Sequence, residues 1–242
     1  MLLPVLDPTV VSALGAKLGS AKRDLLLRVE LVSVRRDLLE ISVVQPISLG
    51  LRRLADRMTA VGGRRAYAAL LGASAIDDLG DGELVVEALR VAAAEVDALA
   101  LASGAEPAAG AGGWDGMIAA VSARPGGARA AALSGPGTAL LREHWADFGE
   151  ALFATAVDQI GADVASLRAA APEQRARLFH GLRGAALHVG LERFERVCTA
   201  GEQMAKLEQD AIVDRLVDRH LDPTRDLDAL AALASELRGA TR

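Results

Sequence analysis

Apolar residues recur along this chain of 242 residues at intervals of three and four, the spacing of helices with one buried face. Asp7-Pro8-Thr9 reads as a helix start, with the acid at the cap and the proline in the first turn, leading into Val10 to Leu18. Ser20 then caps a long helix to about Val44, whose apolar positions Leu25, Leu26, Val29, Val32, Leu38, Leu39 and Ile41 keep helical spacing. Pro46 restarts the chain. Ile47, Leu51, Leu54, Met58 and Val61 line one face of a third helix that stops at Gly62-Gly63. Another begins at Tyr67, Asp78 to Gly82 is a turn, and Glu83 to about Ala102 is a long Ala/Leu/Val helix that closes a first unit.

Ser103 to Gly113 is small, polar and glycine-rich, the composition of a connection between domains. Met117, Ile118 and Val121 suggest a short helix after Trp114, cut off by Pro125-Gly126-Gly127. From Thr138 a second unit opens with Leu140, Leu141, Trp145, Phe148, Leu152 and Phe153, and its pattern runs on through Val157, Ile160, Val164 and Leu167. Pro172 starts a further helix that Gly190 ends. Leu191, Phe194, Val197 and Cys198 carry the next to about Leu207, and Ile212–Leu221 and Leu227–Leu237 complete the chain. The expected organisation is a bundle over residues 1–103, a linker over 104–137 and a second bundle over 138–242.

Composition agrees with this pattern: 51% of residues are hydrophobic but only 3% aromatic, a mixture suited to closely packed helices. The expected fold class is all-α, two tandem four-helix bundles joined by a Gly/Ala-rich linker. A net charge of −5 argues against nucleic acid as a partner. The single cysteine, Cys198, rules out an internal disulfide and fits a reducing cytoplasm; its spacing makes it a small core residue. Met1 to Asp7 lacks a basic segment and is broken by Pro4, so it does not read as a signal peptide. No run of apolar residues reaches membrane-spanning length, so a cytoplasmic protein without a membrane partner is expected.

Candidate chemistry concentrates on one histidine. At about 100° per residue, Leu182, Ala185 and Val189, together with Leu178, form an apolar stripe opposite His180, which therefore faces solvent. Arg177 and Arg183 lie roughly 60° to either side of it, and Gly184 roughly 40° away. An imidazole changes charge in the physiological range and, when neutral, offers a nitrogen nucleophile. His188 sits too far round and along the helix to share a metal easily, and His144 and His220 have no acidic or cysteine constellation near them.

The two halves also show a weak repeat. Pro46 to Asp56 resembles Pro172 to His180, with a spacing two residues longer, which sets Asp56 against His180, Thr59 against Arg183 and Ala60 against Gly184. Asp56 has no neighbouring acids that would make it a phosphorylation site with Mg²⁺, since Leu54, Ala55, Arg57 and Met58 flank it.

The stretch from His180 to Gly190, reading HGLRGAALHVG, resembles the histidine-containing phosphotransfer (HPt) domains of bacterial phosphorelays. Their signature has a His, an apolar residue two later, Lys or Arg at three, Gly at four, small residues next, then an apolar residue and Gly at nine and ten; each position matches. The first half resembles a degenerate copy without the histidine. The resemblance implies a four-helix bundle in which His180 accepts a phosphoryl group from a receiver-domain aspartate and passes it to another. Arg183 would neutralise the phosphoryl charge with possible support from Arg177, and Gly184 would leave room for the receiver. It implies as partners the receiver domains of a response regulator and a hybrid histidine kinase. No cofactor of its own is implied, Mg²⁺ coming from the receiver. The chain shows neither a P-loop nor an extended mixed α/β region, so a phosphocarrier rather than an enzyme is expected, with room for a homo-oligomer through the first bundle. Two alternatives stay open: a helical scaffold that is never phosphorylated, and the phosphoacceptor of a chemotaxis-type kinase acting in trans.

Overall fold

The computed structural model describes residues 3–44, 46–104, 112–124 and 129–240, and every regular element among them is helical. The chain divides into two compact units, Met1–Ala128 and Arg129–Arg242. No helix among the described residues is long and apolar enough to cross a membrane.

In the first unit α1 (Pro8–Leu18) starts on Asp7, whose carboxylate accepts from the Thr9 amide at 2.9 Å, and ends at Gly19 with φ 77°. Then α2 (Ser20–Leu39) gives way to a short 3₁₀ turn, Ile41–Val43, so the helix expected to reach Val44 stops earlier. It buries Leu27, Leu31, Val34 and Leu38, whereas Leu25, Leu26, Val29 and Val32 are exposed. This corrects the expected buried face: α2 is apolar on both sides, and periodicity alone cannot choose between two stripes of the same period.

The core of this unit is α3 (Ile47–Ala60) packed on α4 (Arg64–Leu79) and α5 (Gly82–Ala102). α4 begins at Arg64, three residues before the expected start at Tyr67. Its Ala66, Ala68, Ala69, Ala73 and Ala75 are all buried, and side chains this small let neighbouring helix axes approach closely. The Asp77 carboxylate of α4 accepts from the Ser48 amide in the first turn of α3 at 2.9 Å, supplying that helix with a cap from its neighbour. The short helix α6 (Gly112–Ser122) packs on α5: Trp114 donates its indole N–H to Asp97 at 2.8 Å, and the Arg35 guanidinium stacks over the Trp114 ring. Residues 112–122, inside the expected linker, thus belong to the first unit. The expected connection at 105–111 and the break at Pro125-Gly126-Gly127 lie outside the described residues.

The second unit runs through α7 (Gly135–Glu143), a π-helical turn at Trp145–Gly149, α8 (Glu150–Ala169), α9 (Pro172–Val189), α10 (Glu192–Lys206), α11 (Asp210–His220) and α12 (Thr224–Ala240). α9 is packed between α8 and α10. Phe179, Leu182, Phe194 and Val197 at the α9–α10 seam are fully buried, each stabilising the pair by about 1.5–3 kcal/mol. Arg193 of α10 ties down the start of α12 through a bidentate pair with the fully buried Asp226, Nη2 to Oδ2 at 2.6 Å and Nε to Oδ1 at 3.1 Å.

Candidate functional site

His180 projects from the middle of α9 with its side chain 65% exposed, opposite the buried Leu182, Ala185 and Val189. Phe179, which the periodicity did not place inward, is fully buried, while Leu178 is half-buried at the edge of the stripe. The Phe179 ring lies against the backbone of Gly201 in α10, where any Cβ would overlap it. That close approach fixes the height of α10 against α9 and brings the next residue of each helix, His180 and Glu202, into contact.

Glu202 organises the site. Its side chain is 3% exposed, and its Oε1 lies 3.2 Å from His180 Nδ1 and 2.5 Å from Lys206 Nζ, while its Oε2 lies 3.0 Å from Arg183 Nη1. Two cations and an imidazole N–H surround one carboxylate, which offsets the cost of withdrawing it from water. In the tautomer whose Nδ1–H donates to Oε1, the lone pair that remains free is on Nε2. Arg183 Nη2 lies 3.4 Å from Nδ1, so the guanidinium stands beside the ring as well as over the acid. Sequence reasoning missed Glu202, although a signal was present: it falls four residues after Cys198, on the buried face of α10.

The other expected site residues separate. A Cβ added at Gly184 would meet nothing within 4 Å, so the surface one turn beyond His180 is open. Arg177 is exposed one turn back, and no hydrogen bond or ion pair among the described residues joins it to His180. In line with His180 and Gly184, Leu187 stands 56% exposed at the edge of a groove formed with Ser134, Pro136 and Arg196. Cys198 is fully buried, and burial pushes its thiol well above the usual range, which makes it unreactive. No group of three or more potential metal ligands occurs among the described residues.

The turn between α3 and α4 in the first unit has the hydrogen-bond pattern of the turn between α9 and α10. Gly62 (φ 79°) donates to Thr59 and Gly63 to Met58, while Gly190 (φ 74°) donates to Leu187 and Leu191 to Ala186. Each pair of corresponding residues differs by 128 in number. The same offset matches buried Leu51, Leu54, Met58 and Val61 with buried Phe179, Leu182, Ala186 and Val189, and Gly80 (φ 73°) with Glu208 (φ 59°). In this register Arg52, not Asp56, falls against His180, Ser74 against Glu202 and Asp56 against Gly184. Arg52 Nε donates to Ser74 Oγ at 3.1 Å, and its Nη2 also reaches Asp78. Counting from the prolines gives a different pairing because α9 extends three residues further at its N-terminus, counted back from the turn, than α3 does.

Compared with models of protein families, with characterised proteins and with solved structures, the chain matches none.

Proposed function

We propose that the chain is a phosphocarrier in which His180 Nε2 takes a phosphoryl group from an aspartyl phosphate of a receiver domain and yields it to a second receiver. The observation that carries this reading is the buried carboxylate of Glu202 on His180 Nδ1, beside an open surface at Gly184. In the step, the Nε2 lone pair attacks phosphorus, the P–N bond forms, the P–O bond breaks, and the partner's aspartate leaves as carboxylate. The ring keeps its Nδ1 proton and gains positive charge, which Glu202 stabilises at 3.2 Å. Arg183 is close enough to turn from Glu202 to the phosphoryl oxygens. The Mg²⁺ and the carboxylate chemistry belong to the receiver.

On this reading the first unit is a copy that cannot carry phosphate, because Arg52 stands in place of the histidine and offers no nucleophile at neutral pH. The test is incubation of the full chain with a panel of phosphorylated receiver domains. An acid-labile, alkali-stable label on the wild type that is lost in His180→Gln supports the proposal, and no label from any receiver contradicts it.

A further inference from the structure

The outer face of α2 carries an exposed apolar ridge. Leu25, Val29 and Val32 are 63, 60 and 67% exposed and fall within about 60° of one another, almost opposite the core residue Leu27. Lys22 and Arg28 are exposed about 60° to either side of this ridge, Arg36 extends it at one end, and Lys17 and Leu18 of α1 are exposed at the other. The acids of α2 do not balance these cations. Asp24 pairs with Arg23, and Glu30 and Asp37 both pair with Arg57 of α3. Arg36 touches Asp37 only at 3.4 Å and stays 69% exposed. On α8, which presents Ala156, Ile160, Val164 and Leu167 inward in the same way, the outward positions are Ala154, Asp158 and Gly161, so a bundle of this kind does not need an apolar outer ridge.

We infer that α2 lies on an anionic lipid surface, apolar ridge down and cations at the headgroups. A ridge of aliphatic side chains with lysine and arginine on both margins is the arrangement in which long stems reach outward to anionic headgroups while the ridge enters the boundary between headgroup and acyl chain. A second copy of the chain is a poor occupant, because α2 against α2 would set the cations of one against those of the other with no acid between them. An acidic protein helix would need acids matched to both margins of a convex ridge, whereas a lipid surface deforms around it. The contact is peripheral, in keeping with the absence of any crossing helix among the described residues, and it does not depend on the chemistry of His180.

The test is sedimentation of the full chain with vesicles of phosphatidylcholine alone or containing about 30% phosphatidylglycerol, at low and high salt. Binding to the anionic vesicles, weakened by salt and reduced about tenfold or more in both Val29→Glu and the double variant Lys22→Gln/Arg28→Gln, supports the inference. The glutamine pair touches no core residue and stands in if Val29→Glu fails to fold. Absence of binding to anionic vesicles, equal binding to neutral ones, or undiminished binding in the glutamine pair overturns it. So does a wild-type dimer in light scattering that Val29→Glu converts to monomer, because the ridge then belongs to a second copy.

Discussion

The ring of Phe179 rests on the backbone of Gly201, and this one contact sets the depth at which α9 and α10 meet. The residues that follow, His180 and Glu202, touch because of it, so packing in the core and geometry at the surface are a single property.

Gly201→Ala is therefore expected to lower stability and disturb the site together. Overpacking costs about 1–3 kcal/mol, against at most about 1 kcal/mol that alanine gains over glycine in a helix. Chemical denaturation measures the net loss, and the NMR signals of the His180 ring report the displaced Glu202. A variant as stable as the wild type would mean that the two helices are not in van der Waals contact at this point.

How much of this was legible in the sequence follows the reach of each interaction. Helix starts at Asp7 and Pro172, the stop at Gly190 and the outward direction of His180 are local, set by caps, a left-handed glycine and a period of 3.6 residues, and they could be read directly. The partner of His180 lies 22 residues away on another helix, so only the oddity of an acid on a buried face hinted at it. The buried side of α2 was unreadable because two apolar stripes share one period, and the tertiary environment alone selects between them. The Arg52 correspondence was hidden because helix beginnings vary in length while the turn after them is fixed by hydrogen bonds.

Gly184→Gln separates folding from function. Position 184 is mid-helix with open space around its Cβ direction, so replacing glycine adds about 0.5–1 kcal/mol of helix stability. The melting temperature is expected to rise while phosphoryl transfer slows, because a long side chain would stand where the proposed function has a receiver approach. A stabilised variant with unchanged transfer would remove Gly184 from the docking surface.

Glu208 holds φ 59°, a left-handed conformation that in the corresponding turn of the first unit falls to Gly80. Glu208→Gly relieves about 1 kcal/mol of backbone strain, so the denaturation midpoint should move upward. An unchanged or lowered midpoint contradicts this.

The hold on α12 is expected to weaken in acid. Hydrogen bonds from Arg238 and Arg142 keep the carboxyls of Glu150 and Glu236 below the usual carboxylate range. Groups depressed in the folded chain contribute stability that is complete above their unfolded pKa and is lost as pH falls through the lower folded values. Both pairs are exposed, so salt should screen them as well. Hydrogen exchange of α12 amides should therefore speed up on acidification and at high salt more than that of α9 and α10. Equal protection across the three helices at every pH would contradict it.

The central claim is that His180 is the phosphoryl carrier and that Glu202 prepares it. The most direct measurement is the single-turnover rate of transfer from a phosphorylated receiver to wild type, His180→Gln and Glu202→Gln. No transfer to His180→Gln is expected, and a rate at least about tenfold lower for a folded Glu202→Gln, whose neutral amide cannot offset the charge gained by the ring. Undiminished labelling of His180→Gln would contradict it.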